Sequence, residues 1–409
     1  MNLTKSRLSV YLPAAIAVTL TVSMIFFPEE AYSAAVKGVD VWWNIVFPAL
    51  LPFFIGSEIL MGLGVVHFLG VLLEPLMRPV FNVPGTGSFV MAMGLASGFP
   101  IGSILSARLR REGLCSKAEG ERLMSFTNTA DPLFMAGAVA VGMFGRPEIA
   151  FIIATAHYLS SIATGFLMRF YGKDRSVIGD TGIQGNIISR GLNALYLARR
   201  KDGRPIGQLM GDAIRSAVNS MLLIGGFIIL FSVIIRMLTI VGATDFLGNI
   251  AFKFLRPLGL DRRLLPALIS GFFEIDLGCE LAGEAAGVVP LLQAVIVTGA
   301  IIGWSGLSVH AQVASIISDT DMKIKPFILA RCAHAVLAAF FSWLLMGPLG
   351  ALTVSVTPVF APLQPAKGLN FFMKAALMSR LFLIITAALL LLGVVINVIR
   401  NLKLVVFRG

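Results

Sequence analysis

Apolar runs of membrane-spanning length, separated by short charged stretches, set the pattern of this chain. Runs over 10–28, 44–73, 123–145, 148–171, 216–242, 288–317, 326–347 and 369–399 reach or exceed the roughly 20 residues that cross a bilayer core. We expect each to be a membrane helix. Two further apolar stretches, 86–107 and 264–287, do not read as plain spans. The first is broken at its middle by Ser97-Gly98-Phe99-Pro100, with Gly102 and Ser103 close behind. A continuous helix has no use for that break, although a kinked helix is the plainer alternative. Two half-helices that meet inside the membrane need it. The second stretch repeats the pattern as Ser270-Gly271-Phe272-Phe273-Glu274.

The expected fold class is therefore an all-α polytopic membrane protein. It has about eight transmembrane helices plus two re-entrant helical hairpins, 86–107 and 264–287. Three short matches in the same order point to a duplication. Glu74-Pro75-Leu76, Ser97-Gly98-Phe99 and the polar break at Asn128-Thr129 answer to Arg256-Pro257-Leu258, Ser270-Gly271-Phe272 and Trp304-Ser305-Gly306. An odd number of spans separates the hairpins, so they enter from opposite faces and form an inverted repeat, a common build of secondary transporters.

This divides the chain into a first helix and interfacial segment (1–43), a first repeat (44–171) and a basic cytoplasmic linker (172–215). A second, inverted repeat (216–347) follows, then a link, last helix and basic tail (348–409). Trp42-Trp43 are expected at the headgroup level. An uncleaved first span is preferred to a signal peptide ending near Ala31-Tyr32-Ser33, because the apolar run is long for a signal core.

With 57 % hydrophobic and 13 % charged residues, the composition fits an integral membrane protein and excludes an ordinary soluble enzyme. A net charge of +11 raises nucleic-acid binding. The lysines and arginines, however, sit in loops between apolar runs, and with cytoplasmic termini most of them fall inside. We thus expect no nucleic-acid partner and a membrane location. The exception is an outer cluster, Lys253, Arg256, Arg262 and Arg263, read either as a lipid-bound interfacial helix or as a surface that draws anions. Cys115, Cys279 and Cys332, with His67, His157, His310 and His334, show no metal or redox spacing. No cofactor or metal is expected, and no enzymatic motif is present.

Backbone opened at membrane depth is tolerated where it lines a polar cavity or is buried in protein, and free N–H groups at half-helix N-termini favour anions. The candidate substrate residues are Ser97, Gly98, Phe99, Pro100, Gly102, Ser103, Asn128, Thr129, Ser270, Gly271, Ser305, Ser308 and Gln312. Gly278 joins the glycines read as letting backbone approach a ligand. Charges inside the membrane are expensive and tend to be functional, so Asp131, Glu274, Asp276 and His310 are candidates for coupling to H⁺ or Na⁺. Glu280 and Glu284 are read either with them or as facing water. Arg331 and His334, one turn apart, are read as partners for acidic groups across helices.

At these residues the chain resembles the gate, or nucleoside-recognition, domain family shared with concentrative nucleoside transporters. Through Gly98-Phe99-Pro100, Phe126-Thr-Asn-Thr-Ala-Asp-Pro132 and Gly271-Phe-Phe-Glu274 it resembles, over nearly its full length, a family of sporulation integral membrane proteins of endospore-forming Firmicutes. That resemblance implies transport of dipicolinic acid (pyridine-2,6-dicarboxylate) from the mother cell across the outer forespore membrane by alternating access. A small anionic metabolite and the lipid bilayer are then the partners, and a homo-oligomer stays open. Other readings are a nucleoside or other metabolite transporter and a non-transporting sporulation scaffold. An intramembrane hydrolase lacks any supporting motif.

Overall fold

The computed structural model describes residues 3–172 and 186–349, and every regular element among them is helical. The chain opens with α1 (Leu3–Phe26) and α2 (Pro28–Val41). Pro28 suits a first helical position because that N–H has no intrahelical partner, and the axis turns by 104° there. A π-helical turn at Trp42–Val46 leads into α3 (Phe47–Gly62), and α4 (Val65–Leu76) follows. Next come α5 (Gly87–Ser97) and α6 (Ile101–Arg111), packed on each other as a helical hairpin.

α7 (Lys117–Thr127) starts with a capping box. Ser116 Oγ accepts from the Glu119 N–H, and the Glu119 carboxylate accepts from the Ser116 N–H. Two otherwise orphaned donors are thereby satisfied. Residues 128–131 are not helical, and the run resumes as a π-helical segment, Phe134–Met143, before α8 (Ala150–Met168). The second half holds α9 (Ile187–Asp202), α10 (Ile206–Ile240) and α11 (Ala243–Leu255). A second hairpin is built by α12 (Leu265–Phe273) and α13 (Ile275–Ala285). α14 (Leu291–Trp304) and α15 (Gly306–Ile316) form a run broken at Ser305, and α16 (Ile324–Met346) closes the described chain.

Among the described residues, four stretches are long and apolar enough to cross a membrane: Pro147–Met168, Ile206–Ile240, Leu291–Ile316 and Ile324–Met346. The bent first pair makes a fifth if counted as one span. These four answer to the expected runs 148–171, 216–242, 288–317 and 326–347. Two other expected spans are divided. The run 44–73 splits at Leu63-Gly64, where Gly64 takes φ +82°, and 123–145 splits at the non-helical residues 128–131. The expected last span, 369–399, and the tail lie outside the described residues, as do 173–185 of the linker and its neighbour link beyond Leu349.

The element order repeats. In each half a helix ends at a left-handed glycine, a shorter helix follows, then a hairpin, a broken run and a long helix. Gly64 and Gly242 are the two left-handed glycines, and they correct the register expected from sequence. The match is Gly64-x₃-Phe68-Leu69-Gly70-x₇-Arg78-Pro79 with Gly242-x₃-Phe246-Leu247-Gly248-x₇-Arg256-Pro257. Glu74-Pro75-Leu76 is therefore not the counterpart of Arg256-Pro257-Leu258. The long helices echo each other too, as Phe151-Ile152-Ile153-Ala154 and Phe327-Ile328-Leu329-Ala330.

Close approach of small residues holds the bundle, as expected where lipid tails compete with apolar side chains. Gly225 of α10 makes a groove for Trp42, and a Cβ there would come within 2.6 Å of the indole. The indole N–H donates to Met221 O at 2.9 Å. Trp42 thus fastens α2 and α3 to α10, whereas Trp43 is exposed, so the expected headgroup position suits only the second tryptophan. From Ile187 on the basic stretch is mostly helical: α9 packs on α4, with Arg190 paired to Glu74, and α10 already begins at Ile206.

Candidate functional site

The first hairpin is pressed onto the first break. A Cβ on Gly94 would lie 1.9 Å from Thr127 O, and one on Gly102 would lie 2.4 Å from it. Only glycine allows both helices to flank that carbonyl. Thr129 Oγ1 donates to Gly94 O at 3.1 Å. At the hairpin tip Gly98 takes φ +72° and meets Asp131, whose Oδ2 would be 2.7 Å from an added Cβ. Asp131 Oδ1 accepts from the N–H groups of Leu133 and Phe134, each at 2.9 Å. It therefore caps the half-helix that resumes after the break.

The second hairpin meets the second break with the roles exchanged. Here the acid is at the tip: Glu274 Oε2 accepts from the N–H groups of Asp276 at 2.6 Å and Leu277 at 3.1 Å, capping α13. The glycine is in the break. Gly306, at φ +71°, lies so close that a Cβ would be 3.0 Å from Phe273 O and 3.1 Å from Glu274 Cα. Ser305 is also left-handed, at φ +69°. Ser308 Oγ donates to Glu274 Oε1 at 3.3 Å. Gly278 and Gly271 pack backbone to backbone, and Gly271 also faces Ile301.

Both junctions open on one cavity of about 60 Å³, room for a few waters or a small ion. Phe99 comes from the first hairpin, Glu274, Ile275 and Asp276 from the second. Ala130, Asp131 and Phe134 come from the first broken run, Ser308, Val309 and Gln312 from the second. Leu50 and Phe54 of α3, with Ile224 and Phe227 of α10, form the apolar wall. The three carboxylates are buried, Asp131 being 5 % exposed, Glu274 3 % and Asp276 4 %. Holding all three ionised around one small, mostly apolar cavity is costly.

Six of the sequence-predicted residues therefore line a common space: Phe99, Asp131, Glu274, Asp276, Ser308 and Gln312. Gly98 touches it through Asp131. Gly102, Gly271 and Gly278 serve helix packing rather than the approach of a ligand. Asn128 and Ser103 are buried, and their side-chain polar atoms have no partner. Thr129 and Ser305 are turned to carbonyls of Gly94 and Trp304. Ser97 and Pro100 flank the tip without lining the cavity. His310 packs against Trp304 with tilted rings, centroids 4.2 Å apart, contacts Gly306 O through Nδ1 at 2.7 Å, and does not line the cavity. Ser270 lines an outer cavity instead. Two of the half-helix N-termini expected to be free for an anion are occupied, one by Asp131 and one by Glu274.

Sequence reasoning missed the wall, because Phe54 and Phe227 sit within uniformly apolar runs and carry no contrast. It also misassigned the partners of Arg331. This buried guanidinium donates to Asn128 O at 3.0 Å and Ser125 O at 2.7 Å, both carbonyls at the end of α7. That is where the negative end of the helix dipole favours a cation. His334 stacks on His157, centroids 4.5 Å apart, and contacts His157 O, while His157 Nε2 accepts from the Ala130 N–H. Neither Arg331 nor His334 pairs with an acid in these bonds.

At the ends of the bundle the charges are paired. Arg110 makes a two-pronged bond with Asp321, at 2.8 and 2.9 Å, and Arg111 meets Asp319 at 2.7 Å. The end of α6 is thus latched to the loop between α15 and α16. In the basic cluster, Arg263 binds Asp261 and holds its carboxyl down at about 2. Arg262 bonds Asn249 at 3.0 Å. Among the described residues no group of three or more His, Cys, Asp or Glu side chains is arranged to hold a metal ion.

A family model described as Gate, nucleoside recognition, matches residues 44–174. No solved structure matches the chain. The sporulation integral membrane protein YlbJ of Bacillus subtilis (strain 168) is 47 % identical over 351 residues, 85 % of each chain. The chain thus belongs to the family of the sporulation integral membrane protein YlbJ and carries a Gate domain.

Proposed function

We propose that the protein is a secondary-type transporter of sporulation. It moves dipicolinic acid from the mother cell across the outer forespore membrane by alternating access, with cytoplasmic termini. The observation that carries a transport reading is the single cavity on which both hairpin tips and both broken runs converge. Broken helices that meet at one polar spot are the build of secondary transporters, in which irregular backbone surrounds a substrate or ion site. The hairpins and broken runs are the moving part, and α3 and α10, which supply the apolar wall, are the fixed part.

The chemistry adds a condition. A planar dianion is larger than the cavity of about 60 Å³, so the site must widen to admit it. Between Asp131, Glu274 and Asp276 it meets like charge, so the acids must take up a proton or a Na⁺ as it binds. Ser308 and Gln312 then offer donors to a carboxylate. A nucleoside is the second reading, favoured by the Gate match and by the aromatic lining of Phe54, Phe99, Phe134 and Phe227. Purified protein in liposomes separates the two. Uptake of labelled dipicolinate, insensitive to excess nucleoside, is the expected result. Uptake of nucleoside alone would overturn the assignment of substrate, and no uptake of either would overturn transport.

A further inference from the structure

α13 borders two cavities. Asp276, near its start, reaches the central cavity. Further along is a space of about 400 Å³ between α2, α10 and the second hairpin, lined by Glu280, Leu277 and Ser270 and by Glu30, Lys37 and Arg236. Asp276, Glu280 and Glu284 follow at intervals of four, so they share one face of the helix. Their exposure is graded. The Glu284 side chain is 57 % exposed, Glu280 is half-buried, and Asp276 is 4 % exposed. Two oxygens on this face, Glu280 Oε2 and Asp276 Oδ1, are buried without a hydrogen-bond partner. A buried carboxylate oxygen that binds nothing is costly, and the cost falls if a proton or a proton-carrying water is the missing partner.

Resting on the transport reading above, we propose that this face of α13 is a proton path. It runs from Glu284 at the mouth through Glu280 to Asp276, and delivers to Glu274 and Asp131 at the central cavity. Carboxylates one helical turn apart can hand on a proton directly or through one water, and carboxylate chains of this kind serve as relays in pumps and transporters. The charges that face Glu280 are Lys37 and Asp40 of α2 and Glu284 of its own helix. Glu30 and Arg236 line the same cavity as an ion pair with a 2.5 Å bond. Asp276 faces Glu274, Glu280 and Asp131. The path thus carries both signs at its mouth, where Lys37 pairs with Glu284 and Arg236 with Glu30, and only acids within. Each cation at the mouth is offset by an acid, so a proton can enter there, and the cluster of acids beyond favours holding it.

The test uses full-length protein in liposomes with a pH dye inside and a dipicolinate gradient as the driving force. Wild type is expected to acidify the lumen as dipicolinate enters. In Glu280→Gln the protons moved per dipicolinate should fall to near zero, and Glu280→Asp should restore part of the signal. Dipicolinate uptake without a pH change, or uptake driven by a sodium gradient in its place, would overturn the path and leave transport standing. If wild type moves no dipicolinate, the transport reading fails, and infrared difference spectra between acidic and alkaline buffer decide the path by themselves. A protonated-carboxyl band lost in both Glu280→Gln and Asp276→Asn supports it, and a band unchanged in both overturns it.

Discussion

Gly98 and Asp131 touch through the backbone of one and the carboxylate of the other, so closely that a methyl group on Gly98 would lie 2.7 Å from Oδ2. The second half of the chain exchanges the positions, with Glu274 at the hairpin tip and Gly306 in the broken run, where a methyl group would meet the backbone of Glu274. In both, the acid also caps the half-helix that follows it. Each junction needs one side chain that accepts hydrogen bonds and one residue with none. Exchanging the two positions between halves keeps the junction and places both acids at the central cavity.

Gly98→Ala tests the tightness of this junction. The substitution meets two penalties, a positive-φ, extended backbone (ψ −167°) that is essentially glycine-only and costs about 1–3 kcal/mol and an overpacked contact that costs about 1–3 kcal/mol. Gly113 is a built-in control, being left-handed at φ +70° with open space around it. Thermal unfolding in detergent should show Gly98→Ala clearly less stable than Gly113→Ala. Equal losses would mean that neither the Asp131 contact nor the extended backbone at Gly98 adds to the cost of a positive φ.

Glu274 has two duties that separate by substitution. Glutamine still accepts from the N–H groups of Asp276 and Leu277, so Glu274→Gln should stay within about 1 kcal/mol of wild type, whereas Glu274→Ala loses the cap and about 1 kcal/mol or more. Glutamine cannot take up a proton. Transport by Glu274→Gln should therefore lose its dependence on pH and on ion gradients. An unchanged dependence would remove Glu274 from coupling.

Much of this site was legible in the sequence, for identifiable reasons. A break at Ser97–Pro100 inside an apolar run, or acids at Glu274 and Asp276, stand out because membrane helices have little place for them. The uses of Gly102, Gly271 and Gly278 were not legible, since a glycine reads alike whether it faces a ligand or the carbonyl of Thr127. Arg331 advertised itself as a buried charge, but its acceptors are backbone carbonyls freed by a helix end, which carry no letter in the sequence. The register of the repeat was missed at Glu74-Pro75-Leu76 because a proline match outweighed the glycine spacing, and it is the left-handed backbone at Gly64 and Gly242 that sets the register.

Arg331 joins α16 to the end of α7, and its removal should loosen that joint. Arg331→Met leaves the carbonyls of Ser125 and Asn128 buried without their donor, at about 1–3 kcal/mol each. Lysine keeps the charge but not the two-pronged reach, so Arg331→Lys should fall between methionine and wild type. Thermal unfolding orders the three. Hydrogen exchange should quicken first at residues 125–131. A methionine variant as stable as wild type would show that the cost of burying the guanidinium cancels its bonds.

The latch between Arg110 and Asp321 sets a pH response outside the apolar spans. The bond from Arg110 holds the Asp321 carboxyl below its usual range. A carboxyl depressed in the folded state adds stability above its unfolded value, and that stability is lost as pH falls through the folded value. The latch should therefore be intact at neutral pH and should open in acid, below about pH 4. Both partners are partly exposed, so screening limits the contribution to about 1 kcal/mol or less, and added salt should reduce it further. Hydrogen exchange at residues 108–113 and 318–323, taken relative to the intrinsic amide rate at each pH, reads the opening directly. Asp321→Asn should raise it at neutral pH to the level that wild type reaches in acid, and the reversed pair Arg110→Asp with Asp321→Arg should bring it back down. Exchange that rises in acid equally in wild type and in Asp321→Asn would show that another group controls this end of the hairpin.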